Sequence, residues 1–200
     1  MADLPETSMS SSMKPEAPKE PLNLVPQPSR PTMDNPPEDA WKHSGVQVIA
    51  GDQLDTNTAQ TPGMNRAAAV TFARTGAQKL WAGTVKIHAD AKTGAHHHGH
   101  LESIIYIVKG KARMRWGAQL EFTAEAGPGD FIYVPPYVPH QEINALKDED
   151  LECVLVRSDG EAIAVNLPDL VPAENPGTVK WVDPTHGNLP HDHDHSHDLA

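Results

Sequence analysis

Beyond residue 80 the chain is cut into apolar segments too short to be helices. Residues 103–108, 112–116, 119–123, 130–134, 140–144, 151–157 and 162–167 follow one another at close spacing. Lys109-Gly110, Gly117-Ala118, Gly127-Pro-Gly129 and Asp159-Gly160 break them at turn-forming residues. Before them, Leu80-Trp-Ala-Gly-Thr-Val-Lys-Ile-His88 puts Trp81, Gly83, Val85 and Ile87 on one face and Leu80, Thr84, Lys86 and His88 on the other. That period of two is the signature of a half-buried strand. Many short strands with no amphipathic helix among them predict an all-β sandwich or barrel.

Residues 46–50 (Val-Gln-Val-Ile-Ala) are a further short strand candidate, and residues 66–72 could form a strand or the edge of one. Roughly 120 residues suffice for one such core, which sets a barrel over 46–170. The flanks differ in composition. Residues 1–44 hold nine of the nineteen prolines with many Ser, Glu and Lys, so residues 1–45 read as a disordered arm. Pro15-Glu-Ala-Pro18 and Pro28-Ser-Arg-Pro31 fit P-x-x-P, a spacing this composition produces by itself. Residues 171–200 form an extended tail that ends in His191-Asp-His-Asp-His-Ser-His-Asp198, a solvated segment able to hold divalent ions weakly.

Charge and hydropathy exclude several partners. The formal net charge is −11 and no Lys/Arg cluster stands out, which argues against nucleic acid and anionic membrane surfaces. No stretch approaches the ~20 apolar residues of a spanning helix, and the first residues lack the basic and apolar regions of a secretory signal. A cytoplasmic protein is the expectation. The single cysteine, Cys153, excludes an intrachain disulfide framework and is expected to be a small core residue.

The chemistry concentrates between Gly94 and Gly110, Gly-Ala-His-His-His-Gly-His-Leu-Glu-Ser-Ile-Ile-Tyr-Ile-Val-Lys-Gly. On an extended segment, side chains two apart share a face, roughly 6.6 Å from one another. His96 and His98 can then address one ion, with His97 turned outward. Glu102 has the same parity, and His140, about forty residues on, is a plausible fourth ligand. Imidazole and carboxylate together suit Zn, Fe, Mn or Ni, and the sequence does not choose among them. His100 could replace Glu102 as a ligand or act as a base beside the ion; a solvent-facing role is the simpler reading.

These residues resemble the two sequence motifs of the cupin superfamily. Gly-x-His-x-His-(x)3-Glu has His96, His98 and Glu102 in its places, with Gly110 as the closing glycine. The second pattern, Gly-(x)5-Pro-x-Gly-(x)2-His-(x)3-Asn, is similar to Gly129 through Pro135 and His140 to Asn144. Two departures stand out. Seven residues, not six, separate Glu102 from Gly110, so either a β-bulge intervenes or the carboxylate position falls on Ser103. Tyr137 replaces the internal glycine of the second motif and must avoid positive φ or tolerate strain. Gly63-Met-Asn-Arg66, Leu80-Trp-Ala-Gly83 and Gly127-Pro-Gly-Asp130 resemble small single-domain RmlC-like conserved-barrel cupins.

The resemblance implies a double-stranded β-helix, or jelly roll, holding a divalent metal through His96, His98, Glu102 and His140. It also implies a homodimer built on exchanged or paired edge strands. If Glu102 faces inward, Ile104, Tyr106 and Val108 share its face, and Trp81, Val85, Tyr133 and Arg157 are expected as pocket walls. Glu102, Tyr106 and Arg157 are then the candidate catalytic residues. Arg157 could receive a substrate carboxylate as a bidentate pair, or form a rim ion pair with Glu142 or Glu152. Two function classes follow. One is a metalloenzyme that dioxygenates, decarboxylates or isomerises a small organic acid, enediol or sugar derivative. The other is a module that binds a small ligand or metal without turnover. No helix-turn-helix pattern accompanies the barrel.

Overall fold

The alternation read from the sequence becomes two facing sheets. The computed structural model describes residues 38, 39, 42, 45–58, 60, 61, 63–159, 163–175 and 178–182. Both P-x-x-P segments and the His/Asp-rich end lie outside the described residues. The strands are β1 (Met64–Val70), β2 (Leu80–Ile87), β3 (His96–His97), β4 (Ser103–Lys109), β5 (Ala112–Trp116) and β6 (Phe122–Ala126). They continue with β7 (Phe131–Val134), β8 (His140–Asn144), β9 (Leu151–Ser158), β10 (Val165–Asn166) and β11 (Lys180–Trp181). One sheet runs in the order β1-β2-β9-β4-β7 and the other β10-β3-β8-β5-β6-β11. All described pairings are antiparallel except that of β11 with β6. The architecture is the jelly roll expected from the motifs.

Register stacks the inward side chains into rows. Trp81, Arg157, Ser103 and Val134 are neighbours across β2, β9, β4 and β7, and all four are buried. A second row joins Arg66, Val85, Cys153 and Ile107. From the other sheet come His96, His140, Trp116 and Phe122 in one row. The apolar core fills the end of the barrel away from the histidines, through Met64, Ile87, Ile107, Ala112 and Leu151. Each such side chain contributes about 1.5–3 kcal/mol by leaving water. Cys153 belongs to this core, and burial pushes its thiol up to about 12.

Three expectations about elements need correction. Residues 46–50 form no strand: Val46 and Val48 stand almost wholly in solvent, and among the described residues no backbone pairs with them. The segment expected at 119–123 begins at Phe122, because a turn closed by Leu120 N–H on the Gly117 carbonyl consumes the first residues. Residues 72–75 are a single helical turn (α1, Phe72–Thr75), capped by the Thr71 side chain.

Candidate metal centre

His96 sits in β3 directly opposite His140 in β8, so sheet pairing alone brings their rings to a centroid separation of 4.4 Å. His98 follows the end of β3. Gly99, at φ 60°, then turns the chain, and the Leu101 N–H closes on the His98 carbonyl at 3.2 Å. This reversal carries the chain from one sheet to the other and leaves the His98 ring 4.7 Å from that of His140 and 5.2 Å from that of His96. One ring nitrogen from each of the three lies within 4.8 Å of the others.

The hydrogen bonds fix which nitrogen faces inward. His96 Nδ1 lies 2.9 Å from the Gly94 carbonyl, and His140 Nδ1 2.9 Å from the Val138 carbonyl. A carbonyl only accepts, so both rings carry their proton on Nδ1 and turn an Nε2 lone pair inward. Those two Nε2 atoms are buried and have no partner. His98 has the same tautomer: Arg157 Nη2 donates to its Nε2 at 2.8 Å, and its Nδ1 donates to Ser103 Oγ at 2.8 Å. Burial holds all three imidazoles below the ordinary histidine range. His140 adds to the effect on His96, and the Arg157 guanidinium, then His140, adds to it on His98. Neutral rings with convergent lone pairs are the state a metal ligand requires. Two orphaned buried nitrogens are what a divalent ion would satisfy, so the residues fit one.

Glu102 is not part of this group. The expected parity assumed that an extended chain runs unbroken from His96 to Glu102. The turn at Gly99 shifts the phase by one residue, and a one-residue shift exchanges the faces of a strand. Leu101, Ser103, Ile105 and Ile107 are therefore the buried positions. Glu102 is exposed and accepts a 2.7 Å hydrogen bond from the Tyr133 hydroxyl. Of the two alternatives left open by the spacing, the geometry follows the one that places Ser103 inward. Tyr106 likewise faces outward, with its ring 4.8 Å from that of Phe131, and Ile104 and Val108 share that outer face. Tyr133 is also an outer-face side chain, whereas Trp81 and Val85 do face inward.

Other positions need smaller revisions. His97 is turned away from the cluster but is covered rather than solvent-facing; its Nδ1 accepts from the Gly99 N–H at 2.9 Å. His100 is exposed beside Asp159 at 3.3 Å. Tyr137 keeps the glycine conformation of the position it occupies, with φ 59°. Arg157 forms no rim ion pair with Glu142 or Glu152. Its guanidinium is buried within the barrel, bonds the Ile163 carbonyl through Nη1 at 3.0 Å and lies 5.8 Å over the Trp81 ring. Burial, reinforced by Arg66, pushes it down to about 9. Glu152 instead pairs with Lys86 at 3.4 Å. A cavity of about 430 Å³ opens between β7 and the β5–β6 pair and reaches His140, walled by Met114, Trp116, Ile132, Val134 and Val138.

Sequence reasoning named Ser103 only as an alternative carboxylate position and did not anticipate its hydroxyl as the partner of His98 Nδ1. Arg66 was also missed; its side chain is buried in the same interior and raises no local pattern in the sequence.

A family model described as "Cupin domain" matches residues 83–157, which contain all three histidines and Arg157. Among solved structures the chain is similar to the polyketide cyclase RemF from Streptomyces resistomycificus, with 15% identity and a TM-score of 0.52 over 68% of this chain and 99% of that one. It is also similar to KdgF from Halomonas sp. (20% identity, TM-score 0.47, 58% of this chain and 96% of that one). For oxalate decarboxylase from Bacillus subtilis the values are 23% identity and TM-score 0.48, over 57% of this chain and 31% of that one. The matched region thus spans under a third of the oxalate decarboxylase chain. A search of curated proteins finds no match.

Proposed function

We propose that this chain, which the cupin-domain model matches over residues 83–157, is a metal-dependent cupin acting on a small oxygenated organic molecule. The substrate is an organic acid, an enediol or a sugar derivative, and the reaction a dioxygenation, decarboxylation or isomerisation. One observation carries the reading: the buried, partnerless Nε2 atoms of His96 and His140 converge with that of His98. A divalent ion held there would act as a Lewis acid toward vicinal oxygens. The chain's own contribution is orientation and exclusion of water. Ser103 and two backbone carbonyls fix the tautomers, and the apolar walls of the cavity exclude bulk solvent.

A second reading is a small-ligand or metal-binding module without turnover. It is favoured by the outward position of Glu102, which leaves the three rings without a carboxylate among the described residues within their group. The homodimer belongs to the proposal as well. The outer face of the β1-β2-β9-β4-β7 sheet exposes Ile104, Val108, Phe131 and Tyr133, an apolar surface that a second copy would cover.

Elemental analysis tests the metal centre. The chain is prepared with His191, His193, His195 and His197 replaced by Asn, so that the tail carries no metal of its own. We expect about one equivalent of a first-row ion, lost when His96, His98 and His140 are all changed to Ala. A parent protein that stays empty after incubation with Fe, Mn, Ni or Zn would sink the metalloenzyme reading and leave the binding module.

A further inference from the structure

The strand β11 brings the chain beside the histidines before it leaves the sheet. Lys180 pairs with Phe122, Phe122 with Trp116 and Trp116 with His140, so β11 extends the row that holds His140. Successive strands lie about 4.8 Å apart, which sets the Lys180 backbone about 15 Å from that of His140. This stretch is pinned to β6. Lys180 N–H bonds the Glu121 carbonyl at 2.7 Å and Val182 N–H the Thr123 carbonyl at 2.8 Å, while the Arg113 guanidinium lies 5.3 Å over the Trp181 ring. Val182 then forms part of the wall of the cavity that reaches His140.

The sequence that follows Val182 is rich in metal ligands. His186 comes first, and His191-Asp-His-Asp-His-Ser-His-Asp198 alternates four imidazoles with three carboxylates and a hydroxyl. At neutral pH imidazoles are mostly uncharged and competent to bind first-row ions. His191 is nine residues beyond Val182. Nine residues span at most about 30 Å, about twice the distance from β11 to His140. Chain length alone lets these histidines meet the cavity.

The cavity also gives an ion reason to arrive already bound. Its walls beside His140 are the apolar side chains Met114, Trp116, Ile132, Val134 and Val138. A hydrated dication entering there gives up water among groups that cannot replace it, and unpaired charge in such surroundings is costly. An imidazole that travels with the ion keeps a ligand on it until the centre takes over.

We infer that residues 191–198 are a loading arm, which captures a first-row divalent ion and hands it through this cavity to His96, His98 and His140. The step is ligand exchange: nitrogen donors of the arm leave as those of the centre bind, and the ion keeps its oxidation state. The inference rests on the metal-centre reading above and adds the route by which that centre fills. Arm and centre share one chain, so the arm presents its ion at the effective concentration of a short tether, about millimolar. The arm sets the rate of filling, not the amount of metal held at the end.

The test uses the full chain, stripped of metal by chelator, beside a variant with His191, His193, His195 and His197 changed to Asn. Each is mixed with one equivalent of Zn²⁺, quenched at set times with excess chelator, desalted and analysed for zinc. The chain with His96, His98 and His140 changed to Ala is the blank, since zinc held by the arm alone is removed in the quench. His140→Gln serves as the blank if the triple variant does not fold. We expect the full chain to fill about tenfold or more faster than the Asn variant, with both reaching the same stoichiometry. A peptide of residues 183–200 added to the Asn variant in equal amount should leave its rate unchanged, because the tether is gone. Equal rates, a faster Asn variant or rescue by the free peptide overturns the inference and leaves the metal centre standing. An Asn variant that never fills, or a blank that retains zinc, makes the arm part of the tight site and overturns the transfer. Failure of the full chain to retain zinc removes the metal centre, and this inference with it.

Discussion

Lowering the pH of the metal-free protein from about 7.5 to about 5.5 is expected to cost folding stability, with a ceiling of about 4 kcal/mol. His96, His98 and His140 are buried as neutral rings, each held below the ordinary value of 6.5. In the unfolded chain each would take up a proton as the pH falls through that value; in the folded barrel burial holds each ring neutral to lower pH. The unfolded state therefore binds more protons, and stability drops as the pH falls. Each ring's contribution is complete above the unfolded value and is lost progressively below it, until the folded site itself protonates. Across one pH unit on either side of 6.5 a ring that stayed neutral throughout would account for about 1.4 kcal/mol, so about 4 is the ceiling for three. His97, also lowered by burial, acts in the same direction. Against a typical domain stability of about 5–15 kcal/mol this is a large fraction. Urea unfolding of chelator-treated protein, followed by tryptophan fluorescence at constant m-value, measures it. His140→Gln removes one of the three rings and should reduce the pH dependence. A stability that stays flat within about 1 kcal/mol would mean that the rings are protonated in the fold, and would refute their assignment as ready metal ligands.

Two further outcomes follow from the same geometry. Asn144→Ala should destabilise the protein by about 2–4 kcal/mol in urea titration with no effect on metal affinity per folded molecule. Its Nδ2 donates to the carbonyls of Ile87, His88 and Glu149 and its Oδ1 accepts from the Leu146 N–H, so truncation strands several groups at once. Glu102→Ala should leave the metal stoichiometry unchanged, because its carboxylate bonds Tyr133 on the outer face; loss of bound metal by elemental analysis would restore Glu102 to the site.

Much of the barrel was legible because period-two alternation reports directly on burial. Trp81, Gly83, Val85 and Ile87 were expected on one face of β2 and are its four buried positions. The histidines were legible because two motifs bracket them and sheet pairing does the rest. What failed was phase. Between His98 and Ser103 the chain turns at Gly99, and no side-chain pattern counts the residues spent in a turn. Every assignment from that turn to the end of β4, Glu102 and Tyr106 included, moved to the opposite face. Arg157 carried two readings, an inward wall residue or a rim ion pair, and its register beside Ser103 and Trp81 places it in the interior, so the rim pair is the one set aside. Tyr137 shows the motif's geometry outlasting its residue, since the position keeps φ 59° at a cost of about 1–2 kcal/mol for a side chain that is not glycine.

The three ring clamps differ in kind, and that difference bears on how the site can change by mutation. His96 and His140 are each anchored by a main-chain carbonyl two residues earlier, Gly94 and Val138. A point mutation cannot delete a carbonyl, so these two rings keep their tautomer whatever side chains surround them. His98 alone is anchored by a side chain, Ser103 Oγ. Adjustment of donor strength by a single codon change therefore enters the centre at position 103. A carboxylate there would make His98 more electron-rich, an alanine would loosen it, and the other two imidazoles would serve as an invariant frame through either change.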